Sequence, residues 1–272
     1  MATRYSSQLP DENRPAHKLR PKTSEELRAP TARNLAKLQI VDSWAAEVDL
    51  LATSIKKLRG NLKILEAGCG RRWPLKLDGV EYTLTGIDLD SEALRARVHE
   101  VGDLHDAIVG DLCAPGLIPA DTYDVVYSSF VLEHIKEAEV ALENMFLGLK
   151  RGGLLLLRIP DRHAVYGWTA RFTPFSVHLA YYKFIRGKRN AGKPGFAPYP
   201  THHAGVVSRH GIRAFCERHD CAILHERGHT YYLRGMSLAI LATRVYAQVA
   251  SCLSLGSLAW RHNNLTYVIR KN

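Results

Sequence analysis

The stretch "ILEAGCGRRW", residues 64–73, decides the fold of this chain. An apolar run stops at Gly68 and Gly70, and two arginines and a tryptophan follow. Because glycine has no Cβ, the backbone of such a turn can approach a ligand closely. In an open parallel sheet, ligands bind beyond the carboxyl ends of the strands, where the strand order reverses. The stretch therefore predicts a strand that ends in a ligand-binding turn.

The residues around this turn alternate between strand and helix patterns. Short segments rich in Val, Ile and Leu predict five strands: "KILEA", "YTLTGID", "DAIVGD", "YDVVYSS" and "LLLLRIP". The segments "SEALRARVHE" and "EAEVALENMFLGLK" between them predict helices. Strands separated by helices imply right-handed crossovers and a parallel sheet. We therefore expect an α/β, doubly wound core.

Two aspartates follow strands of this predicted core. Asp88 ends the second strand, 18 residues after Gly70 (88 − 70), and Asp111 follows the third strand. An acidic side chain at the end of the second strand can accept hydrogen bonds from two ribose hydroxyls. A Gly-x-Gly turn is a weak signal by itself, but the turn and the two aspartates together favour a ribose-containing ligand.

With "VLEHI" after the fourth strand, the chain resembles the class I S-adenosylmethionine-dependent methyltransferases, in particular their small-molecule, methyltransferase type 11-like branch. The shared pattern is E/D-x-G-x-G, an acidic end of the second strand, GD, and a V-L-x-H-I-like segment, and it covers residues 61–160. The resemblance implies a mostly parallel, seven-stranded, Rossmann-like sheet. It also implies that S-adenosylmethionine is the cofactor and S-adenosylhomocysteine the product.

The resemblance further implies which residues bind the cofactor. These are Glu66, Gly68, Cys69 and Gly70 at the methionine part, Asp88 at the ribose, Leu89 as an apolar wall, Asp111 and Leu112 at the adenine, and Ser128 and Ser129 at the sulfonium.

One departure from the family pattern lies directly after the glycine turn. Arg72 stands where many members have a third glycine, and only about a dozen residues, with Pro74 among them, separate Gly70 from the second strand. A full helix has little room there, so we expect a shortened or distorted element. Arg71, Arg72 or an N-terminal arginine would then grip the methionine carboxylate by a charge-assisted bond.

The rest of the chain is organised around residues 34–272, which we expect to form a single methyltransferase domain. Residues 1–33 carry too little apolar surface to order on their own and predict a flexible tail. Residues 34–58 have an apolar face at helical spacing, so they predict a helix packed on the cofactor-binding core, residues 61–160. A helix and a strand pair in residues 206–272 would complete the sheet, with the last strand at its edge.

An aromatic-rich insertion after the fifth strand, residues 161–205, predicts a lid over the acceptor. We expect Phe130, Tyr166 and Tyr199 to bind the acceptor, which favours a small apolar or aromatic molecule. Three histidines are candidates for a general base, because their pKa suits proton transfer at neutral pH: His134 first, then His202 and His203. Structural roles for these histidines remain open. No metal site is predicted, because no carboxylates are spaced to share an ion with the two adjacent histidines.

The composition leaves a few other functions open. A formal charge of +10 raises nucleic acid as a partner, but no N/D-P-P-Y/F motif follows the fourth strand, so an RNA methyltransferase is the less favoured alternative. A NAD(P)-binding oxidoreductase is another alternative, although Trp73 stands where its glycine motif needs a small residue. A fold that binds without catalysing is a third.

The location and the partners are predicted from composition alone. Five scattered cysteines without a CxxC pair, and an N-terminus unlike a signal peptide, predict a cytoplasmic protein without a transmembrane segment. The expected partner is a small-molecule acceptor, and a homo-oligomer is compatible with the sequence.

Overall fold

The computed structural model describes residues 38–41, 43–185, 187, 189–192, 199–202, 204–230 and 238–272. The predicted tail, residues 1–33, lies outside the described residues. The strands are β1 (Gln39–Val41), β2 (Leu62–Ala67), β3 (Tyr82–Asp88), β4 (Asp106–Val109), β5 (Tyr123–Ser129), β6 (Leu149–Pro160), β7 (Cys221–His229) and β8 (Asn264–Lys271). The α-helices are α1 (Trp44–Lys56), α2 (Ser91–Ala96), α3 (Ala138–Gly148), α4 (Val165–Phe172), α5 (Phe175–Ala180), α6 (Arg209–Arg218) and α7 (Leu238–Leu253).

The strands form one mixed sheet in the order β1-β7-β8-β6-β5-β2-β3-β4. Neighbouring strands are parallel except at β8, which is antiparallel to both β6 and β7. The predicted α/β, doubly wound, mostly parallel fold is therefore confirmed. From β2 the chain builds the sheet first toward β4 and then, from β5, in the opposite direction, so the strand order reverses between β2 and β5. A ligand site is expected at their carboxyl ends.

Within the described residues the sheet has eight strands, where seven were predicted. The additional strand, β1, falls inside the segment predicted as a helix from residue 34 to residue 58, and it pairs in parallel with β7 through Gln39 and Arg227. The helix α1 starts only at Trp44, where the Ser43 hydroxyl accepts a bond from the amide of Ala46. Pairing with an exposed strand edge has overridden the local helical spacing.

The last strand is also placed differently from the prediction. β8 lies between β6 and β7, and most of its residues are buried, so it is not an edge strand. Polar side chains on both of its faces are satisfied inside the protein: the Thr266 hydroxyl donates to Glu47 at 2.9 Å, and the Tyr267 hydroxyl donates to Glu226 at 3.3 Å. The polar residues of β8 therefore face buried hydrogen-bond partners and not solvent.

The insertion after β6 is not a single aromatic cluster. Its described residues form α4, α5 and a turn of π-helix at Tyr181–Ile185. Trp168 and Phe172 stack on each other with ring centroids 5.0 Å apart. Tyr199 instead meets His134 at the carboxyl end of β5, so the aromatic residues divide between two places.

Candidate active site

A cavity of about 820 Å³ opens at the carboxyl ends of β2, β3, β4 and β5. This is the point of strand-order reversal at which ligands bind in doubly wound sheets. Its lining is mainly apolar, with acidic groups on one side and histidines on the other. The lining residues used below are Gly68, Gly70, Arg71, Asp88, Leu89, Asp90, Asp111, Leu112, Ser129, Phe130, Val131, His134, Tyr199 and His202.

The glycine turn forms the floor of this cavity. Gly68 has φ +72°, and a Cβ there would come within 2.3 Å of Val131, so only glycine allows the two loops to approach. Gly70 has φ +53°, and a Cβ there would meet no atom within 4 Å. The turn is thus tight where it touches protein and open at Gly70, where it borders the cavity.

Asp88 links the glycine turn to the end of β3. Its carboxylate accepts hydrogen bonds from the amide of Gly70 at 2.8 Å and from the amide of Asp90 at 2.9 Å. A carboxylate has about four acceptor positions, so about two are left for a ligand. Asp90 in turn caps α2 by accepting bonds from the amides of Glu92 and Ala93, both at 3.0 Å.

A buried arginine supports the turn from below. Arg97 donates to the carbonyl of Cys69 at 2.9 Å, to Glu66 at 3.0 Å and to Asp103 at 2.7 Å. Asp103 also accepts a bond from the amide of Trp73 at 3.3 Å, which ties down residues 71–81. Those residues are all described and contain no helix, as the spacing predicted.

Glu66 and Cys69 accordingly lie behind the turn and do not line the cavity. Both are buried, and burial raises the pKa of Glu66 to about 8 although the charge of Arg97 works against it. With its pKa raised to about 8, Glu66 keeps its proton at neutral pH. Glu66 shapes the turn through Arg97.

The adenine side of the predicted site is built from apolar side chains around an aspartate. Leu89 is 72% exposed and forms part of the cavity wall. Leu112 is buried opposite, and its carbonyl accepts a bond from Asn144 at 2.8 Å. The Asp111 carboxylate accepts a bond from the amide of Cys113, which fixes the loop after β4.

The loop after β5 is held by a buried ion pair that sequence reasoning missed. Arg158 on β6 pairs with Glu47 of α1 at 2.7 Å, and both side chains are 1% exposed. The same guanidinium donates to the hydroxyl of Ser129 at 3.4 Å and lies 4.9 Å from the ring centroid of Phe130. Phe130 has φ +57°, a strained value for a residue other than glycine, and its amide donates to the carbonyl of Arg158.

The two predicted serines are separated by the pleat of β5. Ser129 lines the cavity, whereas Ser128 points the other way and is 2% exposed. This follows from the alternation of side chains along a strand.

The opposite wall is formed by the turn after β5 and by the end of the insertion. His134 Nδ1 donates to the carbonyl of Pro200 at 2.8 Å, and its ring contacts Tyr199 edge-on at 5.5 Å. The amide of His202 donates to the carbonyl of Glu133 at 2.6 Å. Burial lowers the pKa of His134, so the ring is neutral at pH 7 and Nε2 keeps a lone pair.

Among the predicted acceptor-binding residues, Tyr166 is not brought to this cavity. Tyr166 lines a separate cavity of about 50 Å³ beneath α7, together with His262 and Asn263. His203 lies outside the described residues. Of the two arginines proposed for the cofactor carboxylate, Arg71 lines the main cavity and Arg72 does not.

A second buried pair lies at the carboxyl end of β6. The carboxylate of Asp161 is 2.9 Å from His262 Nε2, and the amide of Asp161 donates to the carbonyl of Asn263. Although burial opposes ionisation, the hydrogen bond and charge of His262 lower the pKa of Asp161. The sequence held no local signal for this pair, because 101 residues separate its members.

Comparisons with known proteins place this geometry in a family. A family model described as a methyltransferase domain matches residues 32–226, more than two thirds of the chain. A proposed S-adenosylmethionine-dependent methyltransferase from Listeria monocytogenes has a TM-score of 0.50 at 13% identity, with 84% of this chain and 99% of that chain covered. The cyclopropane synthase MmaA2 from Mycobacterium tuberculosis has a TM-score of 0.50 at 13% identity, with 84% of each chain covered. No curated protein sequence matches the chain significantly.

Proposed function

Because this chain belongs to the class I S-adenosylmethionine-dependent methyltransferases, we propose that its main cavity transfers a methyl group to a small, apolar or aromatic acceptor. The observation that carries the proposal is the wall opposite Asp88. Phe130 and Tyr199 present aromatic surface there beside His134, whose lowered pKa makes it a neutral base and whose Nδ1 is bound to Pro200. An apolar pocket with a single polar anchor suits a small metabolite.

The residues around the glycine turn fit the cofactor. The open space at Gly70 admits the cofactor against the backbone, and the remaining acceptor positions of Asp88 suit the two ribose hydroxyls. Leu89 and Leu112 would enclose the adenine, and Arg71 would bind the carboxylate of the methionine part. When bound, S-adenosylmethionine supplies a methyl group on a positively charged sulfur, which is already activated for in-line transfer.

His134 is our proposed general base for a hydroxyl acceptor. Its Nδ1 is committed to Pro200, so Nε2 is the atom that would accept the acceptor's proton. Phe130 and Tyr199 would orient the acceptor, and alignment by itself contributes much of the rate of such a displacement. His202, on the same wall, would bind polar groups of the acceptor.

We also propose that the protein works in the cytoplasm. All five cysteines are free, which fits a reducing compartment. None of the helices in the described residues has the length and hydrophobicity needed to cross a bilayer.

The test is methyl transfer from labelled S-adenosylmethionine into a metabolite extract, followed by mass spectrometry of the labelled products. We expect a labelled apolar or aromatic small molecule, lost in Tyr199→Ala and retained in Tyr166→Ala, since Tyr166 lies outside the main cavity. Label in RNA, added as a parallel substrate, with none in small molecules would overturn the proposed acceptor class.

A further inference from the structure

The outward side of α7 is an apolar stripe. Five of its aliphatic side chains are at least half exposed and recur at spacings of three and four residues, which places them along one side of the helix: Leu238, Leu241, Val245, Val249 and Leu253. The opposite side carries the buried Ala247 and Ser251. Arg244 is the one charged residue of this helix. Exposed apolar surface of this extent marks an interaction site rather than ordinary surface.

The helix α4 lies beside α7 and extends this surface. The hydroxyl groups of Thr169 on α4 and Tyr246 on α7 are 2.8 Å apart. Next to this contact α4 exposes Trp168 and Phe172, the latter by 66%. We name these two aromatic residues and the stripe on α7 the apolar face.

The segments that carry the apolar face also hold the excess charge of the protein. Residues 162–193 contain seven Lys and Arg, residues 231–261 contain three, and neither segment contains an Asp or Glu. The other 27 Lys and Arg of the chain balance its 27 Asp and Glu, so these two segments account for the whole formal charge of +10. Along the chain, cations are thus concentrated in the two segments that carry the exposed aliphatic and aromatic side chains.

Exposed apolar side chains together with an excess of cations favour one kind of binding partner for the apolar face. A second copy of the chain would bring the same cations to the contact, and residues 1–37 carry eight Lys and Arg against four Asp and Glu, so both would be repelled. Nucleic acid matches the charge, but five of the seven side chains of the apolar face are aliphatic, and bases do not stack on these. An anionic bilayer matches both features, because its headgroups attract cations and its acyl boundary accepts aliphatic side chains.

We propose that the apolar face is a docking surface for anionic phospholipid bilayers, with α7 lying in the plane of the headgroups. Its apolar stripe would enter the acyl boundary, and Lys and Arg of the two segments would contact lipid phosphates. None of the residues of α7 lines the main cavity, so docking leaves the cofactor site unobstructed.

The experiment is flotation of the full-length protein with vesicles of phosphatidylcholine, with and without phosphatidylglycerol, across a salt series. We expect binding to the anionic vesicles that weakens with salt, and little binding to phosphatidylcholine by itself. The double variant Leu241→Glu/Val249→Glu should reduce the bound fraction at least tenfold. The matched control is Leu147→Glu, which changes a similarly exposed leucine on α3 and should bind as the parent does.

The affinity for S-adenosylhomocysteine, measured for all variants, separates loss of docking from loss of folding. If the double variant does not fold, Val245→Ser replaces it. Absence of vesicle binding by the parent at low salt overturns the proposal, and so does equal loss in Leu147→Glu. Salt-sensitive RNA binding without vesicle binding would assign the surface to nucleic acid, and dissociation of a dimer by Leu241→Glu/Val249→Glu would assign it to a second copy.

Discussion

Asp88 is the residue on which the cofactor site depends most directly. Its carboxylate orients the turn at Gly70 and, on our proposal, accepts the ribose hydroxyls. Asp88→Ala should weaken S-adenosylhomocysteine binding by about 1.5–3 kcal/mol, because it removes a charged acceptor and leaves the hydroxyls unpaired. Calorimetry measures the change, with Glu81→Ala, an exposed acidic residue before β3, as the control. Equal affinities in Asp88→Ala and the parent would mean that another residue holds the ribose.

His134 gives the reaction a predicted pH dependence. Burial lowers its pKa below the usual 6.5, and only the neutral ring can accept a proton. The rate with a hydroxyl acceptor should therefore fall as the pH drops through this lowered pKa. The stability of the folded protein should also decrease as the pH falls below 6.5. Protonation of His134 is less favourable in the folded protein than in the unfolded chain.

His134→Gln should lower kcat by about 10²–10⁴-fold and remove the acidic limb of the profile, with little change in the KM for S-adenosylmethionine. A pH–rate profile of the parent, His134→Gln and the exposed control His99→Gln tests this. An acidic limb that persists in His134→Gln would assign the base to another group.

At the scale of elements, the ion pair between Glu47 and Arg158 joins α1 to β6 and supports the loop at Ser129. Glu47→Ala should destabilise the protein by about 3–5 kcal/mol, because it removes the carboxylate that compensates a buried guanidinium. The double variant Glu47→Leu/Arg158→Met should recover much of this loss, since it removes both buried charges. Urea unfolding measures both effects. A loss below 1 kcal/mol in Glu47→Ala would show that solvent reaches the pair.

The contact between α6 and β7 gives the protein a predicted sensitivity to acid. Although burial opposes ionisation, hydrogen bonds from Arg213 and Arg209 lower the pKa of Glu226 to about 2. A lowered pKa contributes stability that is complete above pH 4.5 and is lost as the pH falls toward 2; here it amounts to about 3 kcal/mol. Thermal unfolding between pH 7 and pH 2 should show a steep loss in this window that is much reduced in Glu226→Gln. Parallel curves for the two proteins would contradict the assignment.

At the scale of the whole molecule, cofactor binding should raise the unfolding temperature. S-adenosylhomocysteine at 100 times its Kd should add about 2.7 kcal/mol of stability, which for a chain of this size raises Tm by about 5–10 °C. NADH at the same concentration should leave Tm unchanged, because the cavity belongs to a methyltransferase. Differential scanning calorimetry with each ligand decides between them, and a shift produced by NADH alone would contradict the expected selectivity.

The sequence predicted a group of residues that the structure brings to one cavity, and their contacts with the cofactor stay predictions. The Gly-x-Gly turn, Asp88, Leu89, Asp111 and Leu112 lie along the strands in an order that any parallel sheet brings to one edge. Each of these residues lies at the end of its own strand or in the turn that follows, so spacing along the chain was sufficient to find them. Ser128 lies next to Ser129 along the chain yet does not line the cavity, because neighbouring residues of a strand point in opposite directions.

What the sequence determined by itself is the doubly wound fold and the methyltransferase family, because both depend on hydrophobic periodicity and on motifs within one strand–turn unit. Only the tertiary structure decided the features that join distant parts of the chain: the pairing of β1 with β7, the central position of β8, the support of the turn by Arg97, and the pairs Glu47–Arg158 and Asp161–His262. It also decided which side of α7 is exposed. The physical reason is that strand pairing and the compensation of buried charge depend on which residues meet in space, and periodicity along the chain does not specify those partners.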